Sequence, residues 1–220
     1  MTDDATLWPR RKAAVLTLGA AAVLATLGAV YVIGTGDGNG SAAACAAAET
    51  AGKALKPLAK GEVAGFLPAQ TPLSVADLAF SDDAGAQRSI ADFAGKTVLL
   101  NLWATWCAPC REEMPALDSL QAELGSEHFQ VVAVSIDRGT SDRPKAFLEE
   151  VGATNLPFYA DPSMAIFNTL RERGRATGLP TTVLINGEGC ALGAMYGPAD
   201  WASPDAKALI SAATASSSTN

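Results

Sequence analysis

Trp103-Ala104-Thr105-Trp106-Cys107-Ala108-Pro109-Cys110 sets two thiols three residues apart at the junction between a strand and a helix. Ahead of it, Thr97-Val98-Leu99-Leu100-Asn101-Leu102 is a nearly continuous apolar run, the pattern of a strand covered on both faces. Behind it, the stretch from Arg111 to Leu124 puts Met114, Leu117, Leu120 and Leu124 on one stripe at helical spacing and stops at Gly125. The cysteines therefore fall on the first turn of a helix, where N–H groups lack intrahelical partners and the macrodipole is positive. A thiolate on Cys107 is favoured there, and thiolate is the nucleophile of disulfide exchange. Pro109 suits the same turn, because its missing N–H would be unpaired anyway. The CxxC spacing alone also fits a structural disulfide or half of a zinc site, but the sequence has no second CxxC and one histidine, His128.

The longer string from Asn101 to Met114 and Pro115, with Gly178-Leu179-Pro180-Thr181-Thr182 downstream, resembles the TlpA/ResA/CcmG group. These are TlpA-type membrane-anchored thiol-disulfide oxidoreductases of the thioredoxin superfamily, and the likeness runs from about Phe66 to Ala212. It implies an α/β thioredoxin fold with an amino-terminal β-hairpin extension and a central αβ insertion, preceded by one transmembrane helix.

A chain of 220 residues, 49% of them hydrophobic, holds one ordinary domain plus an extension. Apart from Asp3, Asp4, Arg10, Arg11 and Lys12 it carries 13 basic and 21 acidic residues, a balance that argues against a nucleic-acid partner. Ala13 to Ile33 is a run of 21 uncharged positions, about 30 Å of helix and enough to span a bilayer. Basic residues before it and none immediately after predict that residues 1–12 stay cytoplasmic and the rest crosses the bacterial inner membrane into the periplasm. A cleaved secretory signal with a site at Ala42-Ala43-Ala44 is the competing reading, and it exports the domain equally. Residues 34–44 read as a Gly-rich tether and 45–212 as the folded domain, with 213–220 small, polar and disordered.

Within the domain, composition predicts a helix from about Ala46 to Lys60, a hairpin over Leu78 to Ile90 and a short helical turn at Ser89 to Lys96. A second buried strand is expected over Phe129 to Asp137, parallel to the first because a helix intervenes. Asp142 to Val151 reads as a helix, Phe158 as the centre of a short strand and Ser163 to Leu170 as another helix. Thr181 to Asn186 and Cys190 to Tyr196 flank Gly187-Glu188-Gly189 as a hairpin, and a last helix spans about Ser203 to Ala212.

Pro180 is ordinary loop punctuation on local sequence. The resemblance makes it a cis-proline facing the CxxC pair, with the Leu179 backbone open to an extended substrate segment. Glu113 reads locally as a solvated helix charge. In related reductases a glutamate at this offset lies beside the active site, where a buried carboxylate takes the proton of Cys110; thioredoxin's buried aspartate is replaced here by Asn101, which cannot accept one. Trp103 is assigned to the core, and Trp106, Ala108, Pro109 and Leu179 to the docking surface.

With Cys107 and Cys110 as the redox pair, Cys45 and Cys190 remain; in an exported domain they are expected to form a structural disulfide, the alternatives being free thiols or a lipid on Cys45. The resemblance implies an enzyme, a protein-disulfide reductase without metal or cofactor, monomeric, recharged by a membrane electron donor of the CcdA/DsbD type. Its implied clients are cysteine pairs that receive copper, on a copper chaperone or a cytochrome oxidase copper-site subunit, with apocytochrome c second. A copper-carrying chaperone would use the thiolates as soft ligands, but copper-delivery relatives pair CxxxC with a distant histidine, whereas His128 lies 18 residues past Cys110.

Overall fold

Residues 45–217 are described in the computed structural model. The expected membrane span at 13–33, the tether at 34–44 and residues 218–220 lie outside the described residues, among which no helix is long and apolar enough to cross a membrane. In chain order the elements are α1 (Ala46–Ala54), β1 (Leu67–Pro68), β2 (Ala79–Asp82), β3 (Gln87–Ser89), β4 (Thr97–Trp103), α2 (Ala108–Leu124) and β5 (Phe129–Ser135). They continue as α3 (Asp142–Glu150), β6 (Tyr159–Ala160), α4 (Ala165–Glu172), β7 (Thr181–Ile185), β8 (Ala191–Tyr196) and α5 (Pro204–Ser217).

The apolar run at β4 becomes the centre of an eight-stranded sheet ordered β1-β8-β7-β4-β5-β6-β2-β3. All seven of its residues are buried, as a strand covered by helices on both faces requires. It pairs in parallel with β5 and antiparallel with β7. The connection from β4 through α2 to β5 is the strand-helix-strand unit that forces the parallel pair. The central insertion α3–β6 adds a strand parallel to β5, and the β2–β3 hairpin then pairs antiparallel with β6. The extension thus joins the sheet through the insertion, sealed by Phe80, Phe93 and Tyr159, whose rings meet edge-on at 5.2 and 6.0 Å from Tyr159.

Two local expectations are corrected and one element is added. The helix expected over Ala46 to Lys60 stops at Ala54 and gives way to single 3-10 turns at Lys56–Leu58 and Gly61–Val63, because Pro57 cannot continue an α-helix. The last helix does not stop at Ala212: it runs to Ser217, since Ala213 is fully buried and the Thr97 hydroxyl donates to Ser217 Oγ at 3.1 Å. The two-residue strand β1, absent from the sequence reading, pairs with β8 at the sheet edge. α1 lies directly on β8, so close that a Cβ at Gly52 would sit 2.0 Å from the Leu192 carbonyl oxygen. Cys45, just before α1, is disulfide-bonded to Cys190, which engages the thiol that a lipid would need.

Candidate active site

β4 ends at Trp103 and α2 begins at Ala108, leaving Cys107 as the helix N-cap in extended conformation. Its Sγ accepts the amide N–H of Cys110 at 3.3 Å. A sulfur in that position occupies the place of a capping oxygen, where the unpartnered amides of the first turn stabilise negative charge. In this structure Cys107 and Cys110 are joined as a disulfide. Their environments differ: Cys107 is 6% exposed and Cys110 0%, so an incoming sulfur reaches Cys107.

The turn between β4 and α2 is held from below by Asp137, just beyond β5. Its carboxylate accepts the Thr105 N–H at 2.8 Å, the Thr105 hydroxyl at 2.6 Å and the Ser135 hydroxyl at 2.9 Å. Sequence reasoning placed Asp137 at a strand end and missed this clamp; the signal that could have found it is a carboxylate two residues past the end of the strand parallel to β4. Trp103 is fully buried with its ring 5.7 Å from Phe147, and the Arg111 guanidinium lies over the Phe147 ring at 4.8 Å. Trp106, by contrast, is 60% exposed beside Cys107. Ala108 is exposed, and Pro109 and Leu179 half-buried.

Pro180 arrives by strand register. Thr181 pairs with Leu102, so Pro180 lies at the end of β4 from which the CxxC turn departs. The Leu179–Pro180 peptide is cis. Thr181 Oγ1 donates to the Gly178 carbonyl at 2.7 Å, and Arg173 ties the preceding loop to the amino-terminal extension through Asp77 Oδ1 at 2.7 Å and the Ser74 carbonyl at 3.2 Å. No hydrogen bond is made by the Leu179 N–H or C=O among the described residues.

Glu113 follows Cys110 by one helical turn, on the same face of α2, and is buried, at 3% exposure. One carboxylate oxygen accepts Asn101 Nδ2 at 2.7 Å; the other accepts the Ala199 N–H at 3.2 Å and Trp201 Nε1 at 3.1 Å. Burial pushes its pKa up to about 7, against the downward pull of those three donors. Ala199 and Trp201 were not legible as site residues, being 86 and 88 residues away in the chain. An open groove of about 420 Å³ beside Glu113 is bounded by Glu62, Glu112, Pro198 and Asp200.

The Redoxin family model matches residues 67–210, from β1 into α5 and across every element of the site. The chain belongs to the Redoxin family. Within it the chain groups with the TlpA-type members. The thiol-disulfide oxidoreductase ResA of Oceanobacillus iheyensis is 38% identical over 101 residues, 45% of this chain and 50% of that protein. ResA of Geobacillus thermodenitrificans is 32% identical over 130 residues, 57% of this chain and 71% of that protein. Among solved structures, a Chlorobium tepidum chain assigned as a thiol:disulfide interchange protein DsbE is similar at a TM-score of 0.55 and 33% identity, covering 64% of this chain and 95% of that one. The Redoxin chain thus spans between half and about seven-tenths of the length of these two curated relatives.

Proposed function

We propose that this protein is a thiol-disulfide oxidoreductase that reduces disulfides in partner proteins. The observation that carries the reading is Cys107 at the N-cap of α2, reachable from solvent, beside a fully buried Cys110. In the reduced form the Cys107 thiolate attacks one sulfur of a client disulfide, forming a mixed disulfide and expelling the client's other sulfur as thiolate, which takes a proton from solvent. Cys110 then loses its proton, attacks Cys107 Sγ and expels the second client thiolate. Two electrons leave the pair, the client gains them, and the Cys107–Cys110 disulfide seen here is the product.

Glu113 is assigned as the acceptor of the Cys110 proton, supported by its place one turn along α2 and a carboxyl poised at about 7, near the working pH. Trp106, Ala108 and Pro109 form the docking surface. The free Leu179 backbone pairs with an extended client segment in the manner of strand addition. A disulfide cannot be rereduced without a thiol donor, and the uncharged run at 13–33 supports anchorage beside a membrane donor of the CcdA/DsbD type, with the domain in the periplasm. The resemblance to TlpA-type proteins supports clients whose cysteines must be reduced before they receive copper in cytochrome oxidase assembly.

The deciding measurement is the reduction potential of the Cys107–Cys110 pair in thiol buffers. A value near thioredoxin's, about −270 mV, supports a reductase; one near −120 mV makes the protein an oxidant and overturns the direction. Cys110→Ser, which halts the reaction at the mixed disulfide, then captures the clients.

A further inference from the structure

Asn101 sits in the middle of β4, fully buried, and both hydrogens of its amide are used: Nδ2 donates to Glu113 Oε1 at 2.7 Å and to Thr182 Oγ1 at 3.0 Å. Its Oδ1 is buried without a hydrogen-bond partner among the described residues. A buried acceptor left without a donor is costly, and such groups are rare in folded proteins. The pattern matches an ionised Glu113, to which every neighbour donates.

The match fails once Glu113 is protonated. Oε2 already accepts two N–H groups, from Ala199 and Trp201, and neither can turn into an acceptor. The proton therefore belongs on Oε1, where it meets the Asn101 amide donor head-on. A half-turn about the terminal torsion of Asn101 exchanges Nδ2 for Oδ1. The oxygen then accepts the carboxyl O–H, and the Thr182 hydroxyl turns its hydrogen toward the same atom. Asparagine can serve Glu113 in both charge states, the reversed state leaving its two N–H hydrogens where Oδ1 now has no partner; leucine would serve neither, and aspartate would add a second buried carboxylate.

We infer that Asn101 is a positioning residue for proton transfer, its amide reversing with the charge of Glu113 so that the proton is taken up and released at Oε1. The significance for catalysis rests on the assignment of Glu113 as proton acceptor; the reversal itself does not. The other titratable groups near Glu113 are Glu112 on α2, Glu62 on the turn after α1 and Asp200 before α5, all exposed on the groove rim, where water and salt screen them, while Cys110 is held in the disulfide of the oxidised protein. β4 meets this carboxyl through the uncharged Asn101, whose amide also donates to Thr182 on β7.

The test is a pH titration of the full-length oxidised protein by NMR, following the Glu113 carboxyl carbon and the Asn101 side-chain amide together. Both Asn101 amide protons, hydrogen-bonded above the Glu113 midpoint, are expected to move upfield below it, with the same midpoint as the carboxyl. Resonances that stay flat through the Glu113 titration overturn the proposal, and the wild-type protein alone decides this. In Asn101→Leu the carboxylate loses a charge-assisted donor and the carboxyl only a neutral acceptor, so Glu113 becomes about tenfold weaker as an acid; an unmoved midpoint would count equally against it. If the amide follows Glu113 but the pH profile of client release does not, the amide reversal stands and the catalytic assignment of Glu113 fails.

Discussion

Cys107 and Cys110 are three residues apart on the first turn of α2, whereas Cys45 and Cys190 are 145 residues apart and each 1% exposed beneath α1. The first pair has one sulfur within reach of solvent and an amide N–H pointing at it. The second has no access, and although Cys45 is the N-cap of α1 its sulfur makes no capping hydrogen bond; Cys190 enters β8, its N–H held by Asn186 Oδ1 at 2.9 Å. Disulfide exchange requires an attacking sulfur to approach and a leaving sulfur to hold negative charge. The contrast teaches that reactivity here comes from the surroundings of the bond, and that one domain can carry an exchangeable disulfide and an inert one.

The sharpest way to break that contrast is Cys107→Ser, which is expected to abolish reduction of a protein disulfide in a turbidity assay while leaving thermal unfolding cooperative. Surviving turnover would mean that another thiol attacks. The converse experiment is the double variant Cys45→Ala, Cys190→Ala. It should lose roughly 2–5 kcal/mol in denaturant unfolding, the range for a long closed loop, with the potential of the CxxC pair unchanged. A shifted potential would show that the two disulfides communicate.

Glu113 sharpens the comparison, since it separates the reactive pair's chemistry from the fold's stability. Its carboxyl titrates at about 7 in the folded chain against an ordinary 4.5, so the folded state holds the extra proton in between. Stability is therefore fully present below 4.5 and falls as pH rises to about 7, by roughly 3 kcal/mol in total. Glu113→Gln should flatten that slope in urea midpoints measured at pH 5 and pH 8, and slow the release of client from the mixed disulfide. The smallest expected effect belongs to Trp106→Ala: about tenfold weaker KM for a protein client, in line with loss of one aromatic anchor, and no change toward a small disulfide. Equal loss on both would place Trp106 in the chemistry instead of the docking surface.

Much of this was legible because it is local. A continuous apolar run, a helical stripe and a CxxC between them dictate β4, α2 and the place of Cys107 within a few residues, and the parallel β5 follows from the connection. The cis bond at Pro180 came from resemblance, as did the role of Glu113. What was not legible depends on distant segments meeting: Trp201 under Glu113, Asp137 under Thr105, and Asn101 as a partner of Glu113, which alone reads as a polar residue in a buried strand. The misplaced end of the final helix has the same origin. Alanine, threonine and serine at 213–217 look like tail composition, yet Ala213 is fully buried and Ser217 meets Thr97 at the start of β4.

The disulfide at Cys45 also settles where mechanical load enters the domain. A pull on the chain from the amino-terminal side of Cys45 would otherwise peel α1 from β8, one turn after another. With Cys45 bonded to Cys190, that force passes through sulfur to the start of β8, whose ladder with β7 must be sheared across several hydrogen bonds at once. Force along the chain is thus borne by the sheet, and α1 lies in its lee.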